Sequence, residues 1–459
     1  MSKPKDYSWM TKDKLMTYTF IALLIITIIS TILWSGIGTD KLITTNSGWN
    51  LGLTVAICAL IAVGISVGID VLFYKLVSDS PLNIMSAAVF GLIVTLSYTL
   101  GTPSMTTEMG TLPVEAPSAF IYVALISLVG MVIFKKIMNL AGRKWVNPAA
   151  AAKFIVLLPF IGTVFLAVDH LKSGPLGVPA LAGPLGAGSS PIAGNGLATF
   201  ASYLQSCYAN PNLPSTAAPS VSWLMIFEKF HGWIGGASSI AVIIVGLALF
   251  IVARRYIKWR ITLSYFVSIV ILSLILAFVF ADADLTLRLL FEVFIGSSIF
   301  LAFFMATDPA STPLTYLGQI IFGVGLAVLT VLIQTSMNFF GGSLLALIIM
   351  NLTSPALDKI GRLKPSTETK EPKLPKAKAY AAEKVKTYEC IRCGACMRVC
   401  CHKLSPILVK QAFDKQDFDA MSKLNADYCT GCGHCSYVCP SRIDLKGSIL
   451  RAKAMLRQQ

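Results

Sequence analysis

Cys390-Ile391-Arg392-Cys393-Gly394-Ala395-Cys396-Met397-Arg398-Val399-Cys400 is answered further on by Cys429-Thr430-Gly431-Cys432-Gly433-His434-Cys435-Ser436-Tyr437-Val438-Cys439-Pro440. A cubane iron-sulfur cluster needs four thiolates around one small, dry volume. Two-residue spacings let three cysteines of a tight loop curl around one face of it, and the fourth ligand must come from elsewhere. In two-cluster modules of this spacing it comes from the other run. The reading is therefore one [4Fe-4S] centre on Cys390, Cys393, Cys396 and Cys439, and a second on Cys429, Cys432, Cys435 and Cys400. A structural zinc ribbon needs only four ligands, and a disulfide framework suits small secreted domains. Eight cysteines in duplicated spacing exceed what either requires. Gly394, Gly431 and Gly433 fit the cluster reading, because a residue without Cβ lets backbone N–H groups approach sulfur closely. Cys401 stands where a proline usually follows the fourth ligand and reads as a small buried hydrophobe rather than a spare ligand.

The rest of the chain is a different material. Hydrophobic residues make up 55% of the whole and charged residues only 13%, with apolar stretches that no soluble core would need. This predicts a polytopic membrane protein. Leu15–Trp34 is too long for a signal-peptide core and lacks a small-residue cleavage site, so it reads as a retained anchor. Further apolar segments fall at Leu51–Phe73, Leu82–Leu100, Ala119–Phe134, Ala149–Val168, Ile234–Val252, Ile261–Phe280, Leu287–Met305, Leu317–Thr335 and Phe339–Leu357, about ten helices in all. The expected fold is an all-α membrane bundle followed by a small α+β cluster module.

Lysines and arginines set the expected orientation, because short cytoplasmic loops carry the excess of positive charge. Lys3, Lys5, Lys12 and Lys14 precede the first segment, Lys135, Lys136, Arg143 and Lys144 follow the fourth, and Arg254, Arg255, Lys258 and Arg260 follow the sixth. An even number of spans puts both termini and the cluster module on the cytoplasmic face of the cell membrane, where reduced thiols belong. Most of the net charge of +15 lies beyond Asp358. It serves the positive-inside bias, or attracts anionic lipid or an acidic electron carrier; no nucleic-acid partner is expected.

Three divisions follow: residues 1–358 as membrane domain, 359–387 as a Lys/Pro-rich linker and 388–459 as cluster module. The linker has too few apolar residues to bury. Between the cysteine runs, Leu408, Ala412 and Phe413 have helical spacing. The loop from Asp169 to Trp233 is rich in Gly, Pro, Ser and Ala, and a structureless loop of that length is usually functional.

Four stretches of the membrane part resemble the RnfD/NqrB family, the membrane component shared by Rnf complexes and sodium-translocating NADH:quinone reductases. They are Asn147-Pro148-Ala149, Trp259-Arg260, Met305-Ala306-Thr307-Asp308-Pro309-Ala310-Ser311, and Asn351 with Pro355 and Asp358. The tail from Cys390 to Ile443 is similar to the ferredoxin-like end of the Rnf complex C subunit. The resemblance implies flavin, with one FMN joined by a phosphoester to a threonine of a Ser/Thr-Gly-Ala-Thr motif. Here Gly196-Leu197-Ala198-Thr199 keeps Ala-Thr alone, which makes Thr199 the candidate; the resemblance leaves room for a second flavin. Gly235-Gly236-Ala237-Ser238-Ser239 resembles a Gly-Glu-x-Ser turn in which Ala237 replaces the glutamate. Gly235, Gly236 and Ser238 are candidate flavin-phosphate contacts, since a glycine-rich turn opening a helix presents N–H groups. Asn147, Arg260, Thr307 and Asp308 complete the cofactor candidates.

Ionisable groups at membrane depth default to function: Asp70, Lys153, Arg288, Glu292 and Asp308 form that set. Asp70 with Lys153 reads equally as a structural pair or as part of a proton or sodium path, and Arg288, near a helix edge, reads as snorkelling. No catalytic residue is identified. No Gly-x-Gly-x-x-Gly follows a strand, so the expected donor is reduced ferredoxin or a flavoprotein rather than NADH. The expectation is a membrane electron-transfer subunit of a redox complex coupled to Na+ or H+ movement. The alternatives are a quinone-reactive module serving a partner reductase, a redox-gated transporter, and an anchor for soluble subunits.

Overall fold

A computed structural model describes residues 10–35, 49–77, 82–100, 116–138, 145–159, 220–227, 233–279, 285–294, 298–337, 342–362 and 387–458. The membrane part runs α1 (Lys12–Ser35), α2 (Leu51–Leu76), α3 (Ile84–Leu96), α4 (Ser118–Val129), α5 (Pro148–Val156), α6 (Val221–Ile226), α7 (Ser239–Ala253), α8 (Trp259–Val279), α9 (Leu285–Phe294), α10 (Ser298–Phe300), α11 (Tyr316–Met337) and α12 (Gly342–Ile360). Two helices widen into π-helix before they end, α4 over Gly130–Ile137 and α10 over Leu301–Met305.

Among the described residues six helices are long and apolar enough to cross a membrane, or seven if α9 and α10, bent by 54°, make one span. The expectation of about ten is therefore met only in part. Leu82–Leu100 and Ile234–Val252 are apolar throughout but not helical throughout. The first becomes α3 and then an extended end, where Tyr98 O accepts Ile234 N–H at 2.8 Å and Thr99 bridges to Trp233. The second opens as a 3₁₀ turn at Ile234–Gly236 before α7, because paired glycines do not hold an α-helix. Ala149–Val168 is described only as far as residue 159.

The long helices are apolar on all sides, so one face packs inward and the other faces outward: Leu60 is 75% exposed on α2 and Phe278 89% on α8, while Val55 and Tyr265 are fully buried. This is the pattern of helices solvated by lipid. Small residues let backbones close up. A Cβ on Gly91 of α3 would stand 2.7 Å from Ala62 O and Val63 Cα of α2. In the second half, α11 packs between α8 and α12.

The cluster module contains α13 (Ala395–Arg398), α14 (Pro406–Asp414), α15 (Phe418–Lys423), α16 (His434–Tyr437) and α17 (Leu445–Leu456). Described throughout 387–458, it has no strand, which corrects the expected α+β character. Its loop N–H groups turn to sulfur rather than to a ladder: Arg392 N donates to Cys390 Sγ at 3.3 Å and Gly431 N to Cys429 Sγ at 3.4 Å. What remains of pairing is Tyr388 N to Ser441 O at 2.9 Å. Ile407, Val409, Ala412, Leu445, Ile449 and Ala452 form the module's core, and Leu314 of the membrane domain joins it.

The module is docked on the membrane domain. Met10, Leu15, Ala253 and Tyr256 share an apolar seam with Ile391, Cys393, Ala395 and Val438, and each large side chain buried there contributes about 2 kcal/mol. Lys12 N donates to Pro440 O at 3.0 Å, and Arg398 donates to Arg255 O.

Candidate functional site

Two small pockets lie within the module. Cys390, Cys393, Cys396 and Cys439 line one, with Gly394, Ile407 and Leu445. Cys400, Cys429, Cys432 and Cys435 line the other, with His402, Leu404 and Ile449. Each draws three cysteines from one run and one from the other. The loops curl because left-handed residues turn them: Arg392 at φ 54° and Gly394 at φ 71° in the first, Gly431 at φ 71° and Gly433 at φ 83° in the second. At Gly394 the approach is close as well, since a Cβ would stand 3.2 Å from Leu314 O.

Each pocket gathers four thiols, three from one tight loop and one from the other run. Four thiols spread around a pocket suit a multi-iron cluster. Burial pushes the Cys435 thiol up to about 12 and raises Cys393 and Cys439, so iron must displace protons on entering. Cys401 is exposed, with its sulfur 3.9 Å from Cys432 Sγ. The buried-hydrophobe reading of it is incorrect, because the turn after Cys400 points outward.

Between the module and the helices lies a cavity of about 520 Å³. Phe73, Phe90, Phe303 and Phe304 line its apolar part, Lys12, Asp70, Asn83 and Lys136 a polar side, and Cys390 and Arg392 close it from the module. Lys136 comes from the π-helical end of α4, and Phe303 and Phe304 from the π-helical segment after α10; such widened turns often mark functional sites. The polar side is a chain of contacts. Lys12 Nζ donates to Asn83 Oδ1 at 2.8 Å, Asn83 N to Asp70 Oδ2 at 2.7 Å, and Asp70 Oδ1 pairs with Lys136 Nζ at 2.7 Å.

Besides Asp70 and Cys390, three of the flavin candidates meet at this cavity. Asn147 caps α5 by accepting from Ala149 N and Ala150 N, at 3.0 and 3.2 Å, while its Nδ2 donates to Met305 O at 3.1 Å. That bond ties α5 to the segment carrying Thr307 and Asp308. Thr307 Oγ1 donates to Phe303 O at 2.6 Å, and Asp308 accepts from Ser311 Oγ at 2.9 Å.

The other candidates lie elsewhere. Gly235, Gly236 and Ser238 sit beyond the opposite end of α3 from Asn83. Gly235 packs against Leu96 and Phe300 there, and Ser238 caps α7. Arg260 stands outside the cavity, its guanidinium 3.8 Å from the Tyr316 ring centre and 4.8 Å from that of Trp259. Thr199 falls outside the described residues. Asp70 and Lys153 do not pair: Lys153 donates to Ser97 O and lies 4.5 Å from the Trp233 ring centre. Arg288 does not snorkel either. It is fully buried with Glu292, 3.5 Å away one turn on, because α9 turns that face into the bundle.

Sequence reasoning gave no site role to Lys12, Asn83, Lys136, Arg392, Lys258 or Asp358, although it used Asp358 for the family resemblance and Lys12, Lys136 and Lys258 for orientation. Lys258 Nζ donates to Pro309 O and Thr312 O, both at 2.8 Å, and to Thr312 Oγ1 at 2.9 Å. Burial pulls its ammonium down to about 7, with Arg392 adding to the fall and Asp358 and Asp308 opposing it. Asp358 accepts from Leu314 N at 2.6 Å and Thr315 N at 3.3 Å, and Arg392 reaches it at 3.9 Å. Together these bonds fix the 306–315 loop between cavity and cysteines. The signal was present in part: Lys258 is a loop cation, but its sequence neighbours do not reveal its burial.

Comparison with known proteins identifies the family. The model of the NQR2, RnfD, RnfE family matches residues 2–366, and that of a 4Fe-4S dicluster domain matches residues 389–443. The B subunit of a Na(+)-translocating NADH-quinone reductase from Ectopseudomonas mendocina is 28% identical over 233 residues, 50% of this chain and 52% of that protein. The D subunit of an ion-translocating oxidoreductase complex from Methanosarcina acetivorans is 32% identical over 158 residues, 34% of this chain and 51% of that one. The chain thus spans about half the length of these two relatives. The D subunit of a Na(+)-translocating ferredoxin:NAD(+) oxidoreductase complex from Acetobacterium woodii is 26% identical over 313 residues, 68% of this chain and 80% of that one. With its family model covering residues 2–366, the chain belongs to the NQR2, RnfD, RnfE family and carries a 4Fe-4S dicluster domain beyond its membrane part.

Proposed function

We propose that the chain is an electron-transfer subunit of a multisubunit membrane oxidoreductase, moving single electrons between a soluble donor and a flavin in the membrane domain. One observation carries this reading: Cys390 lines both the pocket it shares with Cys393, Cys396 and Cys439 and the 520 Å³ cavity among the helices. Clusters held by the two cysteine sets would supply one-electron steps, and a flavin held by the cavity would exchange one or two electrons. The cavity has the size of a small-molecule cofactor site, with aromatic side chains at one part and cations at another. Phe303 and Phe304 present flat apolar surface, Asn147 and Thr307 fix the segment carrying Asp308, and Lys12 and Lys136 supply positive charge beside polar ligand atoms.

The inner set opens on the cavity and the outer set, Cys400, Cys429, Cys432 and Cys435, on the module's own surface, which favours electron entry at the outer set. The donor is ferredoxin or a flavoprotein. Lys12, Lys136, Arg255 and Lys258 lie on the side of the bundle that bears the module, which supports a cytoplasmic placement. FMN joined to Thr199, and coupling to Na+ or H+, complete the reading; the relatives' names carry both the word ion-translocating and Na(+).

The test uses the full chain purified anaerobically. Reduced ferredoxin should bleach the flavin absorbance, and Cys390→Ala should stop the bleaching while the outer cluster is still reduced. Protein without flavin, or zinc in place of iron, would reject the reading.

A further inference from the structure

The two cysteine pockets have different surroundings. All residues lining the outer pocket fall within 400–449, inside the module. The inner pocket abuts the membrane domain: Leu314 packs with Cys396, Tyr256 and Ala253 pack with Cys393, and Gly394 meets Leu314 O. Beside that contact the membrane domain buries a cation. Lys258 is 1% exposed, and each of its three protons has an oxygen within 2.8 to 2.9 Å. Those oxygens belong to Pro309 and Thr312, in the loop that delivers Leu314 to the cysteines.

A lysine so completely bonded is held in place by the loop, not free to fold outward. Among the described residues no carboxylate is in direct contact with Lys258; Asp358, bonded to Leu314 N, Thr315 N and Arg392, and Asp308, bonded to Ser311, act on it from a distance. Lys258 is placed beside the inner set by both of its neighbours: Tyr256, two residues back, packs with Cys393, and the loop that Lys258 bonds at Thr312 carries Leu314 against Cys396. Reduction adds a negative charge to a cluster that four thiolates already make anionic. The added negative charge also favours the protonated form of Lys258, whose three oxygen partners hold an ammonium, and that cation, behind protein rather than water, favours the reduced cluster.

We propose that Lys258 is the charge by which the membrane domain raises the reduction potential of the cluster held by Cys390, Cys393, Cys396 and Cys439, so that docking draws electrons from the outer cluster towards the cavity. This rests on the cluster reading above. It makes Lys258 a positioning residue for charge, not a ligand. The potential of the inner cluster then depends on the module being seated, and an undocked module loses part of the downhill step.

The experiment is a potentiometric titration of the full chain, read by electron paramagnetic resonance, for wild type and three variants. Lys258→Gln keeps donors for the two carbonyls and removes the charge; it should lower one cluster potential and leave the other unmoved. Lys258→Arg keeps the charge and should stay near wild type. Asp308→Asn removes an opposing charge and should shift the same cluster upward. The proposal falls if Lys258→Gln moves neither potential or both equally, or if Lys258→Arg behaves like it. Should Lys258→Gln not accumulate, an Asp308→Asn potential at or below wild type also sinks it. Two normal signals with unmoved potentials would reject the role of Lys258 alone, whereas no iron signal in wild type would reject the cluster reading beneath it.

Discussion

Asp358 is the test of how the module is held. Its carboxylate accepts from Leu314 N at 2.6 Å and Thr315 N at 3.3 Å and faces Arg392 at 3.9 Å. A short hydrogen bond to a buried charged group contributes about 2 kcal/mol, and a longer one about 0.5 kcal/mol. The ion pair, at the limit of contact length, adds roughly another 0.5 kcal/mol. Asp358→Ala should therefore cost about 3 kcal/mol locally, on the order of a 100-fold shift in the opening of the 312–315 loop. Asp358→Asn keeps an acceptor oxygen and should cost about 1 kcal/mol. Amide hydrogen exchange reads this directly: the segments around Leu314 and around Gly394 should exchange on the order of 100-fold faster in the alanine variant. The two should rise together, because Leu314 O rests against Gly394. Unchanged exchange at Leu314, or a rise there with none near Gly394, would refute the seat described here.

Four further outcomes are expected. Cys390→Ala and Cys432→Ala should each remove about half of the bound iron, with different clusters remaining by electron paramagnetic resonance. Gly394→Ala forces a side chain into φ 71°, at a cost of about 1–2 kcal/mol, and should lower iron content as measured per chain. Thr199→Ala should abolish the fluorescent flavin band on a denaturing gel, while acid-extractable flavin from the cavity persists. Because burial holds the Cys435 thiol at about 12, its protonated form resists iron at neutral pH; reconstitution of iron-depleted protein should be more complete as pH rises, followed by absorbance.

The parts legible in the sequence were those written in local patterns. Cysteine spacing is local, so a dicluster domain could be read from it, and apolar length is local, so the long helices α1, α2, α8 and α11 could be placed. Where apolar residues do not form helix, as after Leu96 and before Ser239, length misled. The cavity was illegible because it joins residues as distant as Lys12, Asn83, Lys136 and Cys390. Asn147, Thr307 and Asp308 drew notice through the resemblance, yet their meeting place depends on the bond from Asn147 to Met305 O. Arg288 was misread for the same reason: its distance from a helix end says nothing of which way α9 faces.

The seam that joins Met10 and Leu15 to Ile391 and Val438 sets an order of manufacture. The first helix leaves the ribosome long before the second cysteine run exists. Met10 and Leu15 must therefore wait, already inserted, for Val438. The seam is the last thing the chain can close, and until it does an apolar strip on the bundle stays uncovered.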